Sequence, residues 1–197
     1  MSRYRTRSWR AFDPAAAAAA PPLPNARILG LDPGSRRTGF GVLECRDGEL
    51  VLLAQGCVNV STAAPTARLR MIFESLAALL TEHRPAEVAI ERVFVSRNVD
   101  SALKLGQARG AALCAIPAGI PVFEYAPRAI KLAVVGSGGA EKFQVAHMVR
   151  VLLRFEGALS ADAADALAVA VCHAHARRLG ALVALQGQAP LQRQAHR

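Results

Sequence analysis

Four acidic residues are placed where their carboxylates could act together. Asp32 and Glu91 each end a short apolar run that predicts a strand, although strand interiors usually avoid Asp and Glu. If these strands are parallel neighbours, both carboxylates lie at one edge of the sheet. Asp162 and Asp165 are spaced i, i+3 at the start of a predicted helix, so that both lie on one of its faces. The spacing therefore permits four carboxylates to converge.

Converging carboxylates would repel one another unless a cation neutralised them. Hard oxygen ligands at such density suit Mg²⁺ or Mn²⁺. Two such ions about 3.5–4 Å apart could activate a water and stabilise the leaving oxygen of a phosphodiester. Each part also has a plain structural explanation, because an Asp before Pro-Gly is commonly a turn residue and Asp in a first helical turn complements the helix dipole. The spacing alone leaves both interpretations open.

Apolar periodicity predicts the elements that must position these carboxylates. Short or alternating apolar runs predict strands at 27–32, 38–45, 50–60, 88–91 and 121–125. Helical spacing predicts helices at 65–84, at about 100–115, from Pro127, around 145–152, and from an N-cap at Ser160 to about Leu179.

Turn residues indicate how these elements connect. Asp47-Gly48 is a strong hairpin signal between the second and third strands. Gly180 stands where a C-terminal cap of the last helix is expected. The order β-β-β-α-β-α-β-α-α-α predicts an α/β layered domain with a five-stranded mixed sheet, in which a three-stranded antiparallel meander is continued by two helix-linked parallel strands.

The net charge of +9 is concentrated outside the predicted core. Residues 1–26 contribute +3, residues 177–197 contribute +4, and residues 27–176 contribute only +2. The charge of the core alone therefore does not identify a nucleic-acid-binding protein. No apolar run reaches the roughly 18 residues of a membrane span. Four cysteines that sit inside apolar stretches without a C-x-x-C pair predict free, buried thiols in a reducing cytoplasm.

The two ends of the chain differ in composition from its middle. Four arginines, an alanine run and a proline cluster predict a disordered arm at 1–26, with an organelle transit peptide or a start codon placed too early as alternatives. The chain beyond about Ala181 lacks periodicity, which predicts a flexible tail at 181–197. One domain at 27–180 remains, and its length is enough to bury a sizeable core.

Several motifs follow one another along residues 27–178. They are ILGLDPGS at 28–35, TGFG at 38–41, AIERVF at 89–94, SALKLGQARG at 101–110, PVFEY at 121–125, VAHMVRVL at 145–152 and DAADALA at 162–168. Together they resemble the motifs of the RuvC family of crossover junction endodeoxyribonucleases. The resemblance is specific because several independent motifs agree in content and order. Residues 1–26 lie outside the family pattern.

The resemblance implies a ribonuclease H-like nuclease domain and a homodimer with two active sites. It implies Mg²⁺-dependent, symmetric nicking of two opposed strands of a four-way Holliday junction, with preference for a short T-rich sequence, in recombination and repair. Two Mg²⁺ ions per subunit are expected, with Mn²⁺ as a substitute, and the RuvA–RuvB branch-migration complex is the expected partner. By position, Asp32, Glu91, Asp162 and Asp165 become the catalytic metal ligands.

Five further residues are candidate DNA contacts by the same resemblance. Phe94 is expected to stack on an unpaired base near the cut, or else to pack against the adjacent helix. Arg97 and Lys104 are expected either to contact phosphates or to be solvated. Lys131 and Lys142 flank a glycine-rich loop and correspond to basic residues near DNA in the family. A lysine there would offset charge that develops on the scissile phosphate, and the alternative is an ordinary surface lysine.

Three other functions are weighed against the junction endonuclease. The segment around Asp32 is also similar to the phosphate loop of actin-like ATPases and sugar kinases, but those enzymes use two such domains and this chain has length for one. A ribonuclease H or transposase core would use the same metal chemistry, but it would not explain SALKLGQARG and Phe94. A non-catalytic junction-binding module would gain nothing from clustered negative charge beside DNA.

Overall fold

The computed structural model describes residues 25–93 and 98–187. The strands are β1 (Ala26–Asp32), β2 (Arg37–Arg46), β3 (Glu49–Asn59), β4 (Glu87–Glu91) and β5 (Val122–Tyr125). The helices are α1 (Pro65–His83), α2 (Val99–Cys114), α3 (Pro127–Val135), α4 (Lys142–Leu152) and α5 (Ala161–Gly187). The predicted order of elements is confirmed.

The strands form one mixed sheet in the order β3-β2-β1-β4-β5. β1, β2 and β3 pair antiparallel, whereas β4 pairs parallel with both β1 and β5. The hairpin between β2 and β3 turns at Asp47 and Gly48, which both have positive φ, of 51° and 86°. Two consecutive positive φ values match the twist of antiparallel strands. The predicted five-stranded mixed sheet is therefore confirmed.

Helices cover both faces of the sheet, and the alternation of side chains along β1 shows how. Ile28 contributes to a core with α3, α4 and α5, whereas Leu29 points to the opposite core with α1 and α2. Both side chains are at most 1% exposed. Because the central strand is buried on both faces, it is apolar at nearly every position.

Glycines on the central strands let helix α5 approach the sheet closely. A Cβ atom on Gly30 would lie 2.2 Å from the carbonyl oxygen of Ala166, and one on Gly41 would lie 2.4 Å from Leu167 Cδ2. A Cβ atom on Gly39 would lie 2.0 Å from the carbonyl oxygen of Asp162. The first turns of α5 therefore pack directly against the backbone of β1 and β2, and this contact fixes the distance between α5 and the sheet.

The end predicted for the last helix was wrong. Helix α5 continues through Gly180 to Gly187, so that the predicted tail at 181–197 begins inside it. Gly180 does not have a positive φ, which the predicted cap would require. Glycine in a helix interior costs only about 1 kcal/mol relative to alanine, and the alanines and leucines around it offset that cost.

Other expectations about the core need smaller corrections. Cys172 is buried, but Cys45 and Cys57 are half-buried and Cys114 is exposed, although all four are free thiols. In the ranges that the structure describes, no helix combines the length and apolar character needed to cross a membrane.

Candidate active site

Two of the four predicted carboxylates meet at the edge where β1 and β4 end. Leu31 pairs with Ile90, so the next residues, Asp32 and Glu91, are neighbours across the parallel ladder. Both line a cavity of about 280 Å³ that also includes Pro127. The strand ends therefore bring two acidic side chains together in a concave part of the surface.

The N-terminal turns of α5 bring the other two carboxylates to the same edge. Ser160 caps this helix by accepting a hydrogen bond of 3.3 Å at its Oγ from the Ala163 amide. Asp162 lies over Gly39, which pairs with Asp32 on the neighbouring strand. Asp165 shares a second cavity, of about 230 Å³, with Glu91. The four predicted ligands thus come from β1, β4 and α5.

Burial and mutual repulsion raise the pKa of two of these carboxyl groups. Burial, followed by the charge of Asp165, raises the pKa of Asp32 to about 6. Burial, followed by the charges of Asp32 and Asp165, raises the pKa of Glu91 to about 7. Because each negative charge opposes the others, a bound cation would stabilise the charged form of the whole group.

Two lysines place positive charge beside these carboxylates. Lys142 Nζ, at the first residue of α4, lies 2.8 Å from Asp165 Oδ2 and remains 80% exposed. Lys131, on α3, lines the cavity that holds Glu91 and Asp165, and its charge lowers the pKa of Glu91 against the effect of burial. Both lysines that flank the glycine-rich loop therefore lie at the carboxylate cluster.

Two residues that the sequence analysis did not identify contact Asp162. Arg37 Nη1 lies 3.6 Å from Asp162 Oδ2, and the Cys57 thiol donates to the same oxygen at 3.6 Å. Cys57 pairs with Gly39 across β2 and β3, which brings it under the start of α5. An arginine can be recognised as the partner of a predicted carboxylate ligand only when the strand register is known.

The donor set fits hard divalent cations by its chemistry. Carboxylate oxygens in a half-buried pocket are the ligands that Mg²⁺ and Mn²⁺ prefer. Within residues 25–93 and 98–187, however, no three Asp, Glu, His or Cys side chains are arranged to hold an ion as they stand. The carboxylates of α5 are instead paired with Lys142 and Arg37. The residues therefore suit a metal ion by their chemistry, and two of them have cationic partners in this structure.

Of the remaining candidate DNA contacts, Lys104 alone lies within the described residues, and its ion pair is outside this cluster. The Lys104 ammonium pairs with Asp100 one turn earlier on α2, with both side chains more than half exposed. Phe94 and Arg97 lie outside the described residues. They belong to the connection between Glu91 and α2, so that the chain leads from the carboxylates directly into that segment.

Comparison with known sequences gives one family. Residues 28–173 match the family described as "Crossover junction endodeoxyribonuclease RuvC". A protein of that name from Methylococcus capsulatus is 55% identical over 153 residues, which are 77% of this chain and 92% of the relative. Another from Shewanella sp. (strain W3-18-1) is 51% identical over 163 residues, covering 82% of this chain and 93% of the relative.

Comparison with solved structures agrees with the sequence match. The structure of T. thermophilus RuvC in complex with a Holliday junction substrate aligns with a TM-score of 0.74 at 36% identity, over 79% of this chain and 97% of the other. The yeast mitochondrial Holliday junction resolvase Ydc2 aligns with a TM-score of 0.58 over 88% of each chain. At 13% identity, this second likeness shows the fold alone.

Proposed function

The chain belongs to the RuvC family of crossover junction endodeoxyribonucleases, and on this premise we propose that it resolves Holliday junctions. The reaction is metal-dependent hydrolysis that nicks two opposed strands of a four-way DNA junction symmetrically, in recombination and repair. The fold is the α/β layered, ribonuclease H-like sheet of the family. The two sequence relatives come from Methylococcus capsulatus and Shewanella, which are bacteria, and we expect the protein to act in the cytoplasm.

The observation that carries this proposal is the convergence of carboxylates from three separate elements. These are Asp32 on β1, Glu91 on β4 and the pair Asp162 and Asp165 on α5, and burial together with their mutual charge raises the pKa of the first two. Such repulsion lowers stability in a protein that does not bind cations. We therefore assign all four residues as metal ligands, with two Mg²⁺ per subunit and Mn²⁺ as a substitute.

Each part of the site has a chemical role in this proposal. The bound cations would supply an activated water and Lewis-acid stabilisation of the leaving oxygen. Lys142 and Lys131 line one cavity with Glu91 and Asp165, and their charge attracts the scissile phosphate and offsets the negative charge that develops on it. Phe94, just beyond β4, is expected to stack on an unpaired base, and Arg97 and Lys104 to contact phosphates farther along the strand.

The outer face of α2 supports a homodimer. Val99 and Leu103 on this helix are 69% and 62% exposed. A Cβ atom added at Gly106 or Gly110 would meet nothing within 4 Å among the described residues, so packing in that part of the subunit does not explain these glycines. A helix face with exposed apolar side chains and bare glycines suits close approach by a second helix. Two active sites related by a two-fold axis would allow symmetric nicking, and RuvA–RuvB is the proposed branch-migration partner.

Incubation with a synthetic four-way junction tests the proposal. With Mg²⁺, mapped nicks should appear at matching positions in two opposed strands, and EDTA should abolish them. Replacing any of the four carboxylates by its amide should abolish nicking while junction binding is retained or tightened, because repulsion of phosphate falls. Glu82→Gln is the matched control, since this side chain is 72% exposed on α1, lies outside the proposed site, and pairs within the described residues with the neighbouring His83.

Two results would contradict the proposal. Wild-type protein that binds the junction but nicks no strand would favour a non-catalytic binding module. An amide variant that nicks at a nearly normal rate would remove that residue from the set of ligands.

A further inference from the structure

Two cationic side chains pair with the carboxylates of α5. Lys142 Nζ contacts Asp165 Oδ2 at 2.8 Å, and Arg37 Nη1 contacts Asp162 Oδ2 at 3.6 Å. The two cations come from different elements, α4 and β2. Each carboxylate of α5 therefore has its own counter-ion, while Asp32 and Glu91 form no ion pair among the described residues.

Arg37 is held loosely enough to leave Asp162. Its side chain is 60% exposed, and the separation of 3.6 Å is that of an ion pair without a close hydrogen bond. The same Asp162 oxygen also accepts from the Cys57 thiol, so that Asp162 keeps one partner when Arg37 moves away. An exposed pair of this kind contributes little to folding stability. Its position beside a proposed ligand suggests a different use.

We propose that Arg37 is a positioning residue that holds Asp162 when no divalent cation is bound and contacts the DNA backbone when one is. This inference rests on the proposed function, because it assumes that Asp162 is a metal ligand and that the edge of the sheet faces DNA. A cation and a guanidinium compete for one carboxylate oxygen. Once displaced, the guanidinium lies beside the cluster with its donors free, and a phosphate is the anion available there.

The exchange accounts for two observations together. The described residues include no ready-made group of three ligands, and Asp162 and Asp165 are paired with internal cations. The same cations stand at the place where the scissile strand must lie if the carboxylates act on it. Cation binding would then convert internal ion pairs into phosphate contacts, so that the strength of DNA binding depends on the metal.

Metal binding without DNA is the first test. Mn²⁺ affinity is measured by calorimetry for wild-type protein, Arg37→Gln and Arg37→Lys. Arg37→Gln removes the competitor, and we expect the Mn²⁺ dissociation constant to fall about two- to fivefold, the range for one exposed ion pair. Arg37→Lys keeps the charge, and its Mn²⁺ dissociation constant should lie between those of wild type and Arg37→Gln. An unchanged Mn²⁺ affinity in Arg37→Gln would overturn the inference.

Arg36→Gln is the matched control for this experiment. Arg36 is the preceding residue, is also exposed, and forms no ion pair in the described part of the chain. The Arg36→Gln variant loses the same charge as Arg37→Gln, at nearly the same place. If Arg36→Gln tightens Mn²⁺ binding as much as Arg37→Gln, the effect is a general one of net charge and the specific exchange is wrong. Thermal melting of both variants confirms that they are folded.

The salt dependence of junction binding is the second test. In Ca²⁺, under conditions where no nicking is detected, the slope of log affinity against log salt should be shallower for Arg37→Gln than for wild type. The expected difference is about one unit for each phosphate that Arg37 no longer neutralises. In EDTA the two slopes should agree, because Arg37 is then bound to Asp162. Equal slopes in Ca²⁺, or the same difference in EDTA, would contradict the exchange.

These outcomes are separate from failure of the proposed function. If wild-type protein nicks no junction, the endonuclease proposal fails, whatever Mn²⁺ affinities are measured for the variants. If wild-type protein nicks the junction but Arg37→Gln changes neither Mn²⁺ affinity nor the salt slope, only the role of Arg37 is wrong.

Discussion

His173 on α5 and Glu87 on β4 are joined by a contact of 2.6 Å between Nε2 and Oε2. The other ring nitrogen, Nδ1, lies 2.6 Å from the hydroxyl of Tyr125 on β5. The ring is only 1% exposed, and the neutral tautomer satisfies both contacts if Nε2 donates to the carboxylate and Nδ1 accepts from the phenol. The imidazole therefore ties the helix that carries two carboxylates to the strand that carries Glu91.

The contribution of His173 to stability should be lost in mild acid. Burial lowers the pKa of His173 below its ordinary value of 6.5. The unfolded chain then binds a proton that the folded chain resists, so this contribution is fully present above about pH 6.5 and is lost as pH drops toward the folded pKa. Asp32 and Glu91 titrate with the opposite sign, so the quantity to measure is the difference in unfolding free energy between wild type and His173→Gln, by urea unfolding at several pH values. This difference should be about 1–3 kcal/mol at neutral pH, for disrupted buried hydrogen bonds, and should shrink as the pH falls. A difference that does not change with pH would assign the acid effect to another group.

Divalent cations should stabilise the fold most at alkaline pH. The folded-state pKa values of Asp32 and Glu91 are raised, to about 6 and about 7. The folded chain therefore binds more protons than the unfolded chain, and metal-free stability is lost as pH rises through these values. Mg²⁺ relieves that repulsion, so its effect on Tm should be larger above about pH 7 than below about pH 5. Melting curves with Mg²⁺ and with EDTA measure the difference, and Asp32→Asn should reduce it. A Tm shift independent of pH would argue against a carboxylate site.

Gly30→Ala should lower both stability and nicking. The new methyl group would lie 2.2 Å from the Ala166 carbonyl oxygen and 2.8 Å from Ala170 Cβ, so α5 must move away from the sheet. Overpacking of this kind costs about 1–3 kcal/mol, and the movement displaces the carboxylates that α5 carries. Gly119→Ala is the control, because a Cβ there meets nothing within 4 Å and the residue lies outside the proposed active site and dimer face. Urea unfolding and junction nicking are measured on both variants, and equal stabilities would contradict the tight contact.

Phe94→Ala should slow nicking without destabilising the fold, if the ring stacks on DNA as proposed. Truncation of a core phenylalanine costs about 3–5 kcal/mol, whereas removal of a ring that touches only a base leaves the free protein unchanged. Thermal melting and single-turnover nicking are compared in the same preparation. A large drop in Tm would show that the ring packs against protein instead.

Deletion of residues 1–24 should leave the chemistry unchanged. The deletion stops before Asn25, whose side chain accepts a hydrogen bond of 3.2 Å from the Asp47 amide. The removed segment contains four arginines and no proposed metal ligand. We expect the single-turnover rate at saturating protein to match that of the full chain, with modestly weaker affinity only at low salt. A truncated protein that fails to cleave when fully bound would give the segment a structural role.

The sequence predicted elements whose signals are local. Asp47-Gly48 specified its hairpin because few other dipeptides accept two positive φ values. The proposal that Asp32 and Glu91 lie side by side needed only the rule that parallel strands end at one edge. The contact of Arg37 with Asp162 could not be predicted, because it depends on how β2 sits under α5. The helix end predicted at Gly180 was wrong for a related reason. A glycine late in a helical segment fits both a cap and an interior position, and only its backbone φ angle distinguishes the two.

The order of the carboxylates along the chain has a consequence during synthesis. Asp32 lies on the first strand, whereas Asp162 and Asp165 lie on the last helix, which packs across β1 and β2. On the ribosome, a growing polypeptide therefore lacks half of its acidic cluster until nearly all of it has been translated. If the four carboxylates are the metal ligands that we propose, a chain released or truncated before α5 lacks two of them and should not cut DNA.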